Sequence, residues 1–234
     1  MRGFFVTGTD TGVGKTVVSA LMAVLLMEKG FNVTVRKPIE TGCADVNNTL
    51  IPKDGLFLKT ITGSTEDLKV ITPIRFAHPL APLAAATAEN TTIDIAEIYK
   101  SFDCIDNSSV AIVEGIGGLL VPISKTLFAS DLIKKLNLPV ILVSSNRLGT
   151  INHTLLSLEY MKNKAITVAA IVFNNTTAHI IRDHDMSANT NIGLIRRLTA
   201  VPIIATVPFL DTIDYNTLAD VAKTVDYGTI RGFL

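Results

Sequence analysis

Nine residues, Gly8-Thr9-Asp10-Thr11-Gly12-Val13-Gly14-Lys15-Thr16, stand between a short apolar run, Phe4-Phe5-Val6, and a helical stretch from Thr16 to Lys29 that Gly30 ends. A glycine-rich turn joining a buried strand to a helix is the context a phosphate-binding loop requires. Glycines let backbone N–H groups turn inward around phosphate oxygens, and the helix N-terminus adds partial positive charge. In such a loop Lys15 reaches the β- and γ-phosphates and the Thr16 hydroxyl can ligate Mg²⁺. The usual spacing would place the first glycine at Thr9, whereas here it is Gly8, one residue early.

Further short runs repeat the same pattern. Asn32 to Arg36, Val110 to Val113, Val140 to Val143, Val168 to Phe173 and Ile203 to Val207 are nearly all apolar rather than alternating. Strands that read this way are buried on both faces of a parallel sheet. Helical stretches, including Asp131 to Leu136 and Thr150 to Lys162, lie between them. The expected fold is α/β, a doubly wound and mainly parallel sheet with a phosphate loop, formed as one domain over residues 1–234. Ligands of such sheets sit beyond the carboxyl ends of the strands, so residues just after each run matter most. Pro38 to Pro52 and Thr176 to Asn191 read as long polar loops.

Lysine plus arginine and aspartate plus glutamate both number 21, which gives no basic surplus for a general nucleic-acid binder. The longest greasy run, Val17 to Met27, is too short to span a bilayer. Two cysteines, Cys43 and Cys104, form no zinc-ligand spacing and no disulfide framework. A cytoplasmic protein with no nucleic-acid or membrane partner is expected. Charged residues are only 18% of the chain and apolar ones 48%, which suggests apolar surface covered by a partner subunit.

Two further segments carry charge at strand ends. Lys37, held extended by Pro38, ends the second strand; the segment alone leaves it either a solvated lysine or a second cation near a triphosphate. Glu114 ends the third strand, just before Gly115-Ile116-Gly117-Gly118, where a Mg²⁺-holding carboxylate belongs. With Thr16 and Asp54 it would give three oxygen ligands, completed by phosphate oxygens and water. Asp183-His184-Asp185 looks metal-like but sits in a polar stretch and reads as solvated.

Taken together these segments resemble the dethiobiotin synthetase family. Its GTDTxVGKT pattern appears as Gly8 to Thr16, and its KPxxTG segment as Lys37 to Gly42. Its EGAGG segment appears as Glu114 to Gly118 with Ile116 for alanine, and its LGxINH segment as Leu148 to His153. The resemblance runs from about Phe4 to Leu210 in unbroken order. It implies an ATP-dependent homodimeric ligase that closes 7,8-diaminononanoate and CO₂ into dethiobiotin, releasing ADP and phosphate, with Mg²⁺ and ATP bound.

The resemblance also implies roles. Lys37 and Lys15 are catalytic, and Thr41 contacts the substrate. Thr11, Gly12, Val13, Gly14, Lys15 and Thr16 form the phosphate loop, with Gly12 in place of an acidic residue found in some members. The backbone of Gly115, Ile116 and Gly117 approaches the nucleotide or the carbamate. Asn174 reads adenine with help from Asn175, and Pro208, Phe209 and Leu210 line the base pocket. Leu148, Gly149 and Asn152 complete the substrate site across the dimer interface. Partner-gated switch ATPases share the loop but carry a lysine where Asp10 stands. Related synthetases of cobalamin precursors add a glutamine-hydrolysing domain, for which 234 residues leave no room.

Overall fold

A computed structural model describes residues 1–178 and 186–234, with no account of the side chains of 186–189. The chain runs β1 (Arg2–Gly8), α1 (Lys15–Glu28) and β2 (Val33–Arg36). Short elements follow: β3 (Ile39–Thr41), β4 (Ala44–Val46), β5 (Thr49–Ile51), α2 (Lys53–Thr62), α3 (Leu68–Ile71), β6 (Ile74–Phe76), α4 (Pro82–Ala88) and α5 (Ile95–Asp103). It continues with β7 (Val110–Glu114), α6 (Ala129–Leu136), β8 (Val140–Ser145), α7 (Thr150–Asn163) and β9 (Val168–Asn174). Last come α8 (Met186–Leu198), β10 (Ile203–Val207), α9 (Tyr215–Ala222) and α10 (Tyr227–Ile230).

Six strands form one sheet in the order β10-β9-β8-β1-β7-β2, and every pairing in it is parallel. All six expected strands are present. Their apolar continuity has a direct cause, since successive residues enter opposite cores. Phe4 and Val6 join one buried cluster with Ile112 and Ile141, while Phe5 joins the other with Val113 and Leu142. The greasy run of α1 has the same origin: Val18 to Leu26 are all buried, between the sheet and the apolar faces of α2 (Leu58, Ile61) and α9 (Leu218, Val221). Each such Val or Leu contributes about 1.5–3 kcal/mol by leaving water. Among the described residues no helix is long and apolar enough to cross a membrane.

Two polar stretches carry more structure than their composition suggests. Within Pro38 to Pro52, β3 pairs with β6, and β4 and β5 form an antiparallel hairpin. Asn47 and Asn48 close that hairpin with φ of 52° and 60°, the left-handed pair that a tight two-residue turn demands. The expected loop from Thr176 to Asn191 gives way to α8 from Met186 onward, because Ile195 is fully buried against the sheet and tertiary packing overrides weak local propensity. His179 and Asp183-His184-Asp185 lie outside the described residues.

β1 sits at the middle of the sheet, with β7 on one side and β8 on the other. The chain lays β2 and β7 on one side of β1 and then β8, β9 and β10 on the other, and the crevice at the carboxyl end of β1 is the topological switch point where ligands bind.

Candidate active site

The carboxyl ends of β1, β7 and β2 deliver three chemically distinct segments to that crevice. β1 runs into the glycine loop, β7 ends on Glu114, and β2 is followed at once by Lys37. A cavity of about 370 Å³ there is lined by Thr11, Gly12, Gly14, Lys15, Thr16, Lys37, Thr41, Asp54, Glu114, Ile116 and Gly117, together with Val17 and Glu40. Most of the phosphate-loop, metal and lysine candidates thus meet in one place.

The loop geometry depends on Gly14. Its φ of 87° is left-handed, and a Cβ there would lie 1.9 Å from Nδ2 of Asn174. That amide nitrogen donates to the Val13 carbonyl at 3.1 Å, so Asn174, buried at the end of β9, braces the loop from behind. Lys15 is 7% exposed and donates to the Asp10 carbonyl at 3.0 Å within its own loop. Burial, aided by repulsion from Lys37, pulls its ammonium down to about 8. A triphosphate would supply the negative charge that this lysine lacks.

A charged cluster fills the other half of the cavity. Lys37, 3% exposed, lies 2.5 Å from Glu114 Oε1 and 3.1 Å from Asp54 Oδ2, and also donates to the Gly115 carbonyl at 3.2 Å. Thr16 donates its hydroxyl to the same Glu114 oxygen at 2.9 Å. Burial alone would lower the Lys37 ammonium, but the Glu114 and Asp54 carboxylates overcome it and hold it above its ordinary value. The second Glu114 oxygen, Oε2, is buried without a hydrogen-bond partner. An orphaned buried carboxylate oxygen is expensive unless a further donor or cation uses it. Thr16, Asp54 and Glu114 fit a hard oxygen-preferring cation such as Mg²⁺, which typically takes one or two carboxylates with substrate phosphate oxygens. Among the described residues no group of three or more His, Cys, Asp or Glu is arranged to hold a metal ion by itself, so phosphate oxygens and water would have to complete the shell.

Glu40 has no assigned role in the sequence reading, yet it organises this cluster. Its carboxylate, 5% exposed on β3, accepts from the backbone N–H of Asp54 at 2.9 Å and of Gly55 at 3.0 Å. Those are N–H groups of the first turn of α2, which have no partner inside the helix. Burial raises the Glu40 carboxyl, against the pull of those two N–H groups. Its signal in the sequence is faint: one acidic residue two positions after Pro38 in a polar stretch.

The remaining candidates stand outside the cavity. Asn175 follows Asn174, donates its backbone N–H to Val207, and keeps a buried Oδ1 with no partner. Pro208, Phe209 and Leu210 follow β10, with Phe209 38% exposed and Leu210 packed on the core. Leu148 is 85% exposed, Gly149 caps the start of α7, and Asn152 is exposed on its first turn. Cys43 is buried, and desolvation lifts its thiol to about 11, which leaves it inert at neutral pH. His78 pairs with Glu89 at 2.9 Å, away from the site.

A parallel doubly wound sheet with a glycine loop at its switch point defines a protein of the P-loop NTPase-like class. Residues 2–217 match a family model described as an AAA domain. The chain is 39% identical over 228 residues to the ATP-dependent dethiobiotin synthetase of Thermodesulfovibrio yellowstonii, covering 94% of each chain. It is 38% identical over 224 residues to that of Bacillus subtilis strain 168, covering 95% of this chain and 94% of the relative. It is 40% identical over 174 residues to that of the archaeon Methanococcus vannielii, covering 74% of this chain and 79% of the relative. The chain belongs to the ATP-dependent dethiobiotin synthetase family and is an enzyme of the ATP-dependent ligase class.

Proposed function

We propose that this enzyme converts 7,8-diaminononanoate, CO₂ and ATP to dethiobiotin, ADP and phosphate. One amine captures CO₂ as a carbamate and gives up a proton. A carbamate oxygen attacks the γ-phosphorus, the bond from γ-phosphorus to ADP breaks, and a carbamic–phosphoric anhydride results. The second amine attacks the anhydride carbon, the C–O bond to phosphate breaks, a proton leaves, and the cyclic urea closes. No side-chain nucleophile enters this sequence. The chemical demand on the protein is to bring two anions together and hold the charge that develops between them.

The residues support that demand. The glycine loop and Lys15 take the phosphates, and Lys37 faces the transferring phosphoryl group and the carbamate. Thr16, Asp54 and Glu114 would hold Mg²⁺, which when bound offsets charge on the β- and γ-phosphates. Thr41, in the same cavity, lies where the diamine would approach. Asn174 reads adenine with help from Asn175, whose buried Oδ1 has no hydrogen-bond partner and can accept from an amino group. Pro208, Phe209 and Leu210 border the base on that side. The enzyme acts as a single-domain cytoplasmic homodimer, in which Leu148, Gly149 and Asn152 meet the substrate bound to the partner, and it needs neither nucleic acid nor membrane.

One observation carries this reading: Lys15, Lys37, Asp54, Glu114 and Thr16 converge on one cavity at the switch point of the sheet. Turnover with diaminononanoate, bicarbonate and Mg·ATP, with the product identified by mass, tests it. Dethiobiotin should form in step with phosphate, and phosphate release independent of the diamine would refute the proposal.

A further inference from the structure

The position that best fits a metal is held in the structure by a side chain. The Lys37 ammonium makes its shortest contact to Glu114 Oε1 and a second to Asp54 Oδ2, the two carboxylates that converge there. Thr16, the third oxygen of the set, hydrogen-bonds to the same Glu114 atom. The Glu114 side chain is fully buried, and a buried carboxylate without a cation is strongly destabilising. Two such carboxylates brought together also repel each other. A tethered ammonium solves both problems. In that position, however, Lys37 spends hydrogen bonds on Glu114 Oε1 and the Gly115 carbonyl and lies 3.1 Å from Asp54 Oδ2, so its ammonium is committed to the two carboxylates instead of to an anionic acceptor.

We propose that Lys37 and a divalent cation are exclusive occupants of the Glu114–Asp54 position, so that metal entry displaces the ammonium and frees it for the phosphoryl group and carbamate. The inference rests on the metal reading given above and adds an order of events to it. Glu114 Oε2, buried and without a partner, gives the entering cation an oxygen that Lys37 does not occupy. Asp54, 40% exposed, opens the path from solvent. The lysine becomes available only when the cation that accompanies the nucleotide has arrived. A charge-stabilising group is thereby withheld until the triphosphate is in place.

Competition of this kind lowers apparent metal affinity by the fraction of time the site is free. Mn²⁺ binding, followed by electron paramagnetic resonance without nucleotide, measures it. Lys37→Met keeps the stem and removes the charge, and should bind Mn²⁺ about tenfold or more tightly than the unaltered protein if the ion pair is formed nine-tenths of the time. Glu114→Gln should bind it weakly in either background. Equal affinity in Lys37→Met and the unaltered protein, with loss in Glu114→Gln, overturns the exchange and leaves the metal site standing. Unchanged affinity in Glu114→Gln removes the metal reading itself. Lysine side-chain NMR of the unaltered enzyme gives a readout that does not depend on a variant folding. One ammonium-adjacent resonance should shift as Mg²⁺ is added, and the absence of any shift under saturating Mg²⁺ would also overturn the exchange.

Discussion

At the scale of residues, the site is a balance of burial against charge. Lys37 owes its charged state to Glu114 and Asp54, and its function to leaving them. Lys37→Ala is expected to lower kcat by roughly 10²–10³, the loss typical of one transition-state donor, with little change in ATP affinity. Steady-state kinetics beside equilibrium ATP binding checks this, and weak binding with unaltered kcat would contradict the assigned role. Glu40 predicts a different signature. Glu40→Ala removes the acceptor for two N–H groups at the start of α2 and should destabilise the fold by about 1–2 kcal/mol, read by denaturant unfolding. It should also loosen Asp54. Of these residues, Lys15, Thr16 and Glu114 were legible from local context, because a strand end beside glycines announces a ligand. Asp54 entered only as a third oxygen beside Thr16 and Glu114, with nothing in its own segment to mark it, and Glu40 not at all, since their meeting depends on β3 and α2 folding back on one another.

Elements were legible in proportion to how completely they are buried. The six sheet strands are apolar because both faces are covered, and that periodicity survives in sequence. The three-residue strands β3 to β6 are too short to show any period, and the Asn47-Asn48 turn was hidden in a polar stretch. At this scale Gly14 sets the join between β1 and α1. Gly14→Ala places a methyl on Asn174 and forces a left-handed backbone, so nucleotide binding measured by calorimetry should be largely lost while Gly12→Ala, with open space around its Cβ, is milder.

β2 is anchored to the rest by another pair. Arg36, fully buried, binds Glu66 at 2.6 Å and donates to the Ser101 carbonyl at 2.8 Å. Burial would raise the Glu66 carboxyl, but the hydrogen bonds and charge of Arg36 prevail and hold it below its ordinary value. Glu66→Ala leaves the guanidinium buried and unpaired, and should destabilise by about 3 kcal/mol, the low end for such a change because Glu66 is partly exposed. A lowered folded-state pKa means this stability is fully present above the unfolded value near 4.5 and lost as pH falls through the folded one. The difference between Glu66→Ala and the unaltered protein, measured by unfolding at several pH values, should stay flat from neutral pH to about 5.5 and shrink below about 4.5.

For the whole molecule, the exposed apolar residues are the open question that a partner would answer. Leu148, 85% exposed, stands just before α7, and Leu156, 61% exposed, at its middle. A homodimer that covers them should dissociate measurably in Leu148→Glu, seen as a lower mass by sedimentation equilibrium, while a mass unchanged at the dimer value would move the interface elsewhere. Oligomeric state left little trace in the sequence, because one exposed leucine on a surface is ordinary and only its company in three dimensions makes a patch.

The central place of β1 has a consequence for how the enzyme is made. Arg2 stands beside Val110 and Phe5 beside Val140, so β1 leaves the ribosome well before either of its neighbours. At about 5–20 residues per second that delay is roughly seven to twenty-seven seconds. Throughout it, a strand of Phe, Phe and Val keeps two bare edges and has only α1 to pack against. Nascent-chain surveillance by chaperones that grip short apolar segments should therefore weigh most on β1, and the nucleotide loop that follows it becomes usable only after β7 and β8 have been read.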